Sequence, residues 1–83
     1  MTSLDKVDNE IFRLQELIHA KELQHGSIEH KPLRYFTDGA RLKVVRSYEI
    51  FSRFERGEET ASDRDEMRDL AAYPLLLLAR TQA

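Results

Sequence analysis

Asp65, Glu66 and Asp69 stand at helical spacing directly ahead of a wholly apolar stretch, residues 70–79. Residues three or four apart share a helix face, so Glu66 with Asp69, or Asp65 with Asp69, aim their carboxylates the same way. Carboxylate oxygens on a rigid helix suit a hard divalent cation. Mg²⁺ takes oxygen ligands in octahedral geometry, keeps several waters and usually shares its site with a substrate's phosphates. A second arm can add to the set. In an antiparallel hairpin closed at residues 57–61, Glu49 falls about two turns from the joint, level with Asp69 on the other arm. The same acids have a plainer reading. Asp63, Asp65 and Glu66 fall in the first turn of a helix, where the macrodipole favours negative charge. Arg53, Arg56, Arg64 and Arg68 can pair with them at the surface. Position explains Asp69 less well, because it lies past the first turn and beside the apolar run.

Three helices are needed to place these groups. Thr2 or Ser3 caps the first, over residues 3–25, and Asp5 sits in its first turn. Leu4, Val7, Ile11, Leu14 and Ile18 recur in steps of three and four, widened by Phe12, Leu17 and Leu23, which is the face of a helix seeking a partner. Gly26 ends it. Residues 26–38 are non-periodic and hold Pro32, the basic groups His30, Lys31 and Arg34, and the pair Tyr35-Phe36. Thr37 or Asp38 caps a second helix over residues 38–56, with Leu42, Val44, Val45, Tyr48, Phe51 and Phe54 apolar. Gly57 closes it, and the short polar loop 57–61 makes the next helix antiparallel. Ser62 caps the third, over residues 62–81, with Asp65 three residues on. Its second half is apolar all round, which marks a central helix or one packed on a second subunit. Pro74 inside it predicts a kink. No strand pattern or repeat is present, so the chain reads as one all-α domain, residues 1–83, a three-helix antiparallel hairpin or bundle.

Size and charge bound the function. A chain of 83 residues buries only about 60–65% of its unfolded surface, and without cysteine no disulfide or thiolate–metal site supports the fold. Self-association into a homo-oligomer is the expected way to complete the core. The formal net charge of −2 argues against general nucleic-acid binding. The charge is uneven: residues 31–46 carry five basic groups and one acid, and both flanks are net acidic. A basic middle can meet phosphate while acids meet a metal, or it can be ordinary solvated helix surface. The apolar run is far short of the roughly 18–20 residues a membrane span needs, and no charged-then-apolar leader opens the chain, so the expectation is a cytoplasmic protein without membrane attachment. His19, His25 and His30 are too scattered for zinc. No glycine-rich phosphate loop and no nucleophile–histidine pair is present, which sets covalent catalysis aside. Tyr73 is either a core or interface aromatic or a ring that stacks on a base. Tyr35-Phe36 has the same two readings.

Order and spacing resemble the small MazG-like all-alpha nucleoside triphosphate pyrophosphatases, and within them the phage and bacterial branch called nucleotide-modification-associated. The resemblance runs over roughly residues 11–80. It rests on Leu17-Ile18-His19-Ala20-Lys21 followed by His25-Gly26-Ser27, then on Phe36, Gly39, Arg46, Glu49 and Arg53. The most specific part is Asp69-Leu70-Ala71-Ala72-Tyr73 with the leucines 75–78. The resemblance implies that Glu66-Met67-Arg68-Asp69 matches a metal-binding Glu-x-x-Asp pair. Glu49, Glu66 and Asp69 would then hold Mg²⁺, with Asp65 auxiliary, while Lys21, Arg46 and Arg53 face phosphate and Tyr73 faces the nucleotide. The glutamate-rich motif of the family's preceding helix is reduced here to Glu49, because Arg53 stands where an acid is expected and Glu55 is out of phase. Such a site can bind a nucleotide without cleaving it. The expected function is Mg²⁺-dependent nucleotide handling of the pyrophosphohydrolase type. The alternative is a non-catalytic phage-type module that sequesters a nucleotide or inhibits a host protein, and a third reading is a purely structural oligomerisation domain.

Overall fold

A computed structural model describes residues 2–83, and among them the architecture is all-helical. Helix α1 spans Ser3–His25, a 3-10 turn spans Ile28–His30, α2 spans Leu33–Glu55 and α3 spans Ala61–Arg80. The first boundary follows the local chemistry. The Thr2 hydroxyl accepts from the Asp5 N–H at 3.2 Å, and Asp5 accepts from the Thr2 N–H at 3.0 Å, a reciprocal capping box. Gly26 ends α1 at φ 88°, a left-handed conformation that glycine adopts without steric cost.

The second helix starts at Leu33, ahead of the expected residue 38. Ser27 caps the 3-10 turn, and Pro32 follows with extended backbone at the N-cap of α2, where its missing N–H removes nothing from the helix. Thr37 and Asp38 therefore lie inside the helix. The Thr37 hydroxyl donates to the Arg34 carbonyl, and Asp38 pairs with Arg41 and Arg34. The third helix also starts ahead of the expected cap. Thr60, not Ser62, accepts from the Asp63 N–H at 3.1 Å, and Asp63 accepts from the Thr60 N–H at 3.0 Å. α3 then runs as one element through Pro74.

The core lies between α2 and α3. Phe36, Ile50, Ala72 and Leu76 are its buried apolar residues, joined by the polar Ser47 and Asp63. Ser47 is satisfied by donating to the Lys43 carbonyl at 2.6 Å. Phe36 is the largest fully buried side chain, although the linker was its expected place. Tyr35 meets it edge-on, with ring centroids 5.3 Å apart. Gly39 completes the seam. A Cβ there would sit 2.5 Å from the Tyr73 ring, so the absence of a side chain on α2 lets the α3 aromatic lie against its backbone.

Of the two settings expected for the apolar second half of α3, the central one does not hold in the single chain. Leu75 and Leu78 are exposed, as are Leu42, Val44, Val45, Tyr48 and Phe51 of α2. The reason is geometric: one helix partner covers one face, and α1 lies along α3 without burying a single one of its own residues. The Cα radius of gyration is 13.9 Å, against roughly 12 Å for a compact domain of this length. No helix among the described residues is long and apolar enough to cross a membrane.

Candidate functional site

Packing α1 and α2 on α3 gathers four charged groups at the rim of the core. Lys43 of α2 donates to Glu66 at 2.9 Å and lies 3.3 Å from Asp69. Lys21 of α1 reaches the other oxygen of Asp69 at 3.1 Å. The Lys43 side chain is only 13% exposed, so this is a partly desolvated cluster and not a pair waving in solvent. Burial works against the Lys43 ammonium, but its hydrogen bonds to Glu66 and Asp69 outweigh that, and its pKa is raised above the ordinary lysine value. The four charges sum to zero, two ammoniums against two carboxylates. Beside them a cleft between α1 and α3 is lined by Arg13, Lys21, Asp65, Arg68 and Asp69 among others.

A second cluster lies nearer the hairpin turn. Arg53 forms a two-pronged bond to Asp63, at 2.8 Å from Nε and 2.7 Å from Nη2. Asp63 is buried, and the Arg53 guanidinium together with the Thr60 N–H holds its carboxyl well below the usual carboxylate range. Glu49 reaches Arg53 at 3.6 Å with its side chain 73% exposed. Asp65 pairs with Arg68 at 3.0 Å, and Arg68 also forks onto Glu10 of α1 at 2.9 and 3.2 Å. That fork holds the Glu10 carboxyl below its ordinary pKa.

Lys21, Glu66 and Asp69 thus meet, as three of the residues the family resemblance implies. Glu49 does not join them. The α2 residue facing Glu66 and Asp69 is Lys43, six positions earlier and well round the helix from Glu49. The hairpin register accounts for this, because Arg53 stands level with Asp63 and Lys43 with Asp69. Arg46 is exposed on α2, and Tyr73 packs into the core seam with its ring 6.5 Å from that of Tyr35. Among the described residues no three His, Cys, Asp or Glu side chains gather as a metal-binding set.

The donor set decides how Mg²⁺ could fit. Glu66 and Asp69 supply two carboxylates, each already neutralised by an ammonium, which is a poor site for a bare cation. A metal that arrives with phosphates fits better, because one or two carboxylates suffice beside phosphate oxygens and the lysines then have anions of their own. The place of Lys43 in the cluster and the burial of Asp63 escape a reading of the sequence alone, although the pairing of Asp63 with Arg53 does not. The spacing Phe36, Lys43, Ser47, Ile50 marks one helix face once Phe36 is placed inside α2. Comparison with protein-family models, with curated proteins and with solved structures gives no match.

Proposed function

We propose that this chain is a nucleotide-handling helical module of MazG-like layout, one that binds a nucleoside triphosphate with Mg²⁺ instead of turning it over rapidly. The meeting of Lys21, Lys43, Glu66 and Asp69 supports the reading, since two lysines from different helices converge on the Glu66–Asp69 pair and three of the four are residues that the resemblance implies. Glu66 and Asp69 would hold the metal of a metal–phosphate ligand, and Lys21 and Lys43 would take the phosphate oxygens as point charges. The metal, when bound, offsets phosphate charge and polarises a phosphoryl oxygen. Glu49 is engaged with Arg53 and Asp65 with Arg68, so among the described residues no third carboxylate stands free beside Glu66 and Asp69 to position an attacking water, and this favours binding over cleavage. The module works as a self-associated bundle, because its single-chain core is small.

Calorimetry with each deoxynucleoside triphosphate, with and without Mg²⁺, tests this directly. Binding should need Mg²⁺, weaken at least tenfold in Lys43→Met and in Asp69→Asn, and proceed with little pyrophosphate release. No binding of any nucleotide at millimolar concentration removes the proposal, and brisk pyrophosphate release from wild type restores the catalytic reading. A protein-binding module is the second reading, favoured by Val44, Val45, Tyr48 and Phe51, which leave an apolar strip open along α2. It predicts that nucleotides leave the chain's melting temperature unchanged.

A further inference from the structure

We propose that the groove between α1 and the α2–α3 hairpin is the seat of a second copy of this chain, which inserts the apolar face of its own α1. The inference rests on the reading that the bundle is self-associated and names the surface responsible. Val7, Ile11 and Leu14 of α1 form one wall, and Phe54, Met67 and Ala71 form the other, around about 520 Å³ of open space. The groove is overwhelmingly apolar, yet α1 has no buried residue, and Val7 and Ile11 are 53% and 50% exposed. Unlike the exposed strip of α2, whose helix has a buried face of its own in Phe36, Ser47 and Ile50, the stripe of α1 has no filled partner face.

Area points to a second copy as the occupant. The chain exposes 6292 Å², while a compact monomer of 9.7 kDa exposes roughly 5,100 Å². The excess, roughly 1,200 Å² over the whole chain and shared between α1 and the open strip of α2, is enough for the ~800 Å² that each partner of an ordinary stable dimer buries. The groove's rim carries both signs, Lys6 and Arg64 beside Glu10, with Arg68 bonded to Glu10 across its floor. A two-fold interface is self-complementary, so a mixed rim suits an identical partner better than a strongly acidic or basic one. Association here also bears on the charged quartet. Lys21 rides on α1, which is tied to the hairpin chiefly along α3, so a partner that clamps α1 fixes Lys21 against Asp69.

Sedimentation equilibrium of the full chain from about 1 to 100 µM, without nucleotide, tests the surface independently of any ligand. The wild type should be dimeric within that range. The double variant Val7→Ala/Ile11→Ala should dissociate at least tenfold more readily, with helicity by circular dichroism unchanged, since alanine is the better helix former and both sites are half-exposed in the monomer. The matching double variant on α2, Val45→Ala/Tyr48→Ala, should leave the dimer intact. A wild type that stays monomeric at 100 µM overturns the proposal. A dimer broken by the α2 variant and indifferent to the α1 variant also overturns it, by moving the interface to the other face. Should the α1 variant lose helicity, a single cysteine introduced at Ile11 decides the matter, because the chain has no other cysteine. Concentration-dependent quenching between labels there, absent for labels at Gln82, supports the groove, and quenching at neither position overturns it.

Discussion

The α2–α3 hairpin and α1 are built from helices of similar length but are held by different physics. Among the described residues the hairpin has all the buried side chains: Phe36, Ser47, Ile50, Asp63, Ala72 and Leu76. Its two helices interlock through the Gly39–Tyr73 contact and the Arg53–Asp63 fork. α1 has none, and its docking relies on half-exposed apolar contacts and two charged bridges, Lys21–Asp69 and Glu10–Arg68. Burial in a dense interior is worth kilocalories per side chain, whereas an exposed ion pair is worth roughly 0–1 kcal/mol. The hairpin is therefore the structural unit, and α1 is the adjustable one. That division suits the proposed module, in which α1 would bring a phosphate-facing lysine and an association surface together.

The sharpest way to break the comparison is Phe36→Ala, which removes the largest buried side chain. It should cost about 3–5 kcal/mol, enough to melt much of a domain this small, while Leu14→Ala on α1 should cost well under half of that. Chemical denaturation of both variants checks the ratio. Equal losses would mean that α1 is as deeply integrated as the hairpin.

Acid should act next in size, and on the hairpin first. The Asp63 carboxyl is held below its ordinary value of 3.8, so its ion pair stabilises the fold fully above that pH. The contribution is lost as pH falls through 3.8 towards the lower folded value. The melting temperature should drop between pH 5 and pH 2.5 in the wild type, and the part of that drop due to this site should vanish in Asp63→Asn. An unchanged acid profile in the variant would assign the acid sensitivity elsewhere.

The smallest effect sharpens the comparison from the other side. Glu10→Gln should cost at most about 1 kcal/mol globally, because the bridge to Arg68 is half-exposed and screened. Amide exchange should nevertheless quicken selectively along α1, and raising salt from about 0.05 to 1 M should mimic the substitution in the wild type, as the screening length falls to about 3 Å. Exchange that quickens equally in α2 and α3 would contradict the separate docking of α1.

How much of this was legible in the sequence depended on periodicity. The three- and four-residue steps of Leu4, Val7, Ile11, Leu14 and Ile18 place α1 almost to the residue. α2 was harder, because Pro32 starts the helix in a stretch without an apolar period, and Phe36 looked like a linker anchor. With Phe36 outside the helix, its true core face, Phe36 with Lys43, Ser47 and Ile50, stayed hidden behind the more apolar strip of Leu42, Val44, Val45 and Tyr48. The cap of α3 was ambiguous for a local reason. Thr60 with Asp63 and Ser62 with Asp65 are both capping-box patterns, and only tertiary bonding from Arg53 selects the first. For the candidate site, Lys21, Glu66 and Asp69 were readable from motif resemblance. An even count outward from the loop places Glu49 with them, whereas the real register and helix phase bring Lys43 there instead.

The empty position at Gly39 has a hereditary consequence. Because the Tyr73 ring occupies the space a methyl group would need, a side chain at position 39 requires that ring to move or to shrink. A relative that enlarges position 39 should carry a slimmer residue at position 73. Paired change at these two sites is accordingly a fingerprint by which distant kin of this hairpin can be told from unrelated helices of the same length.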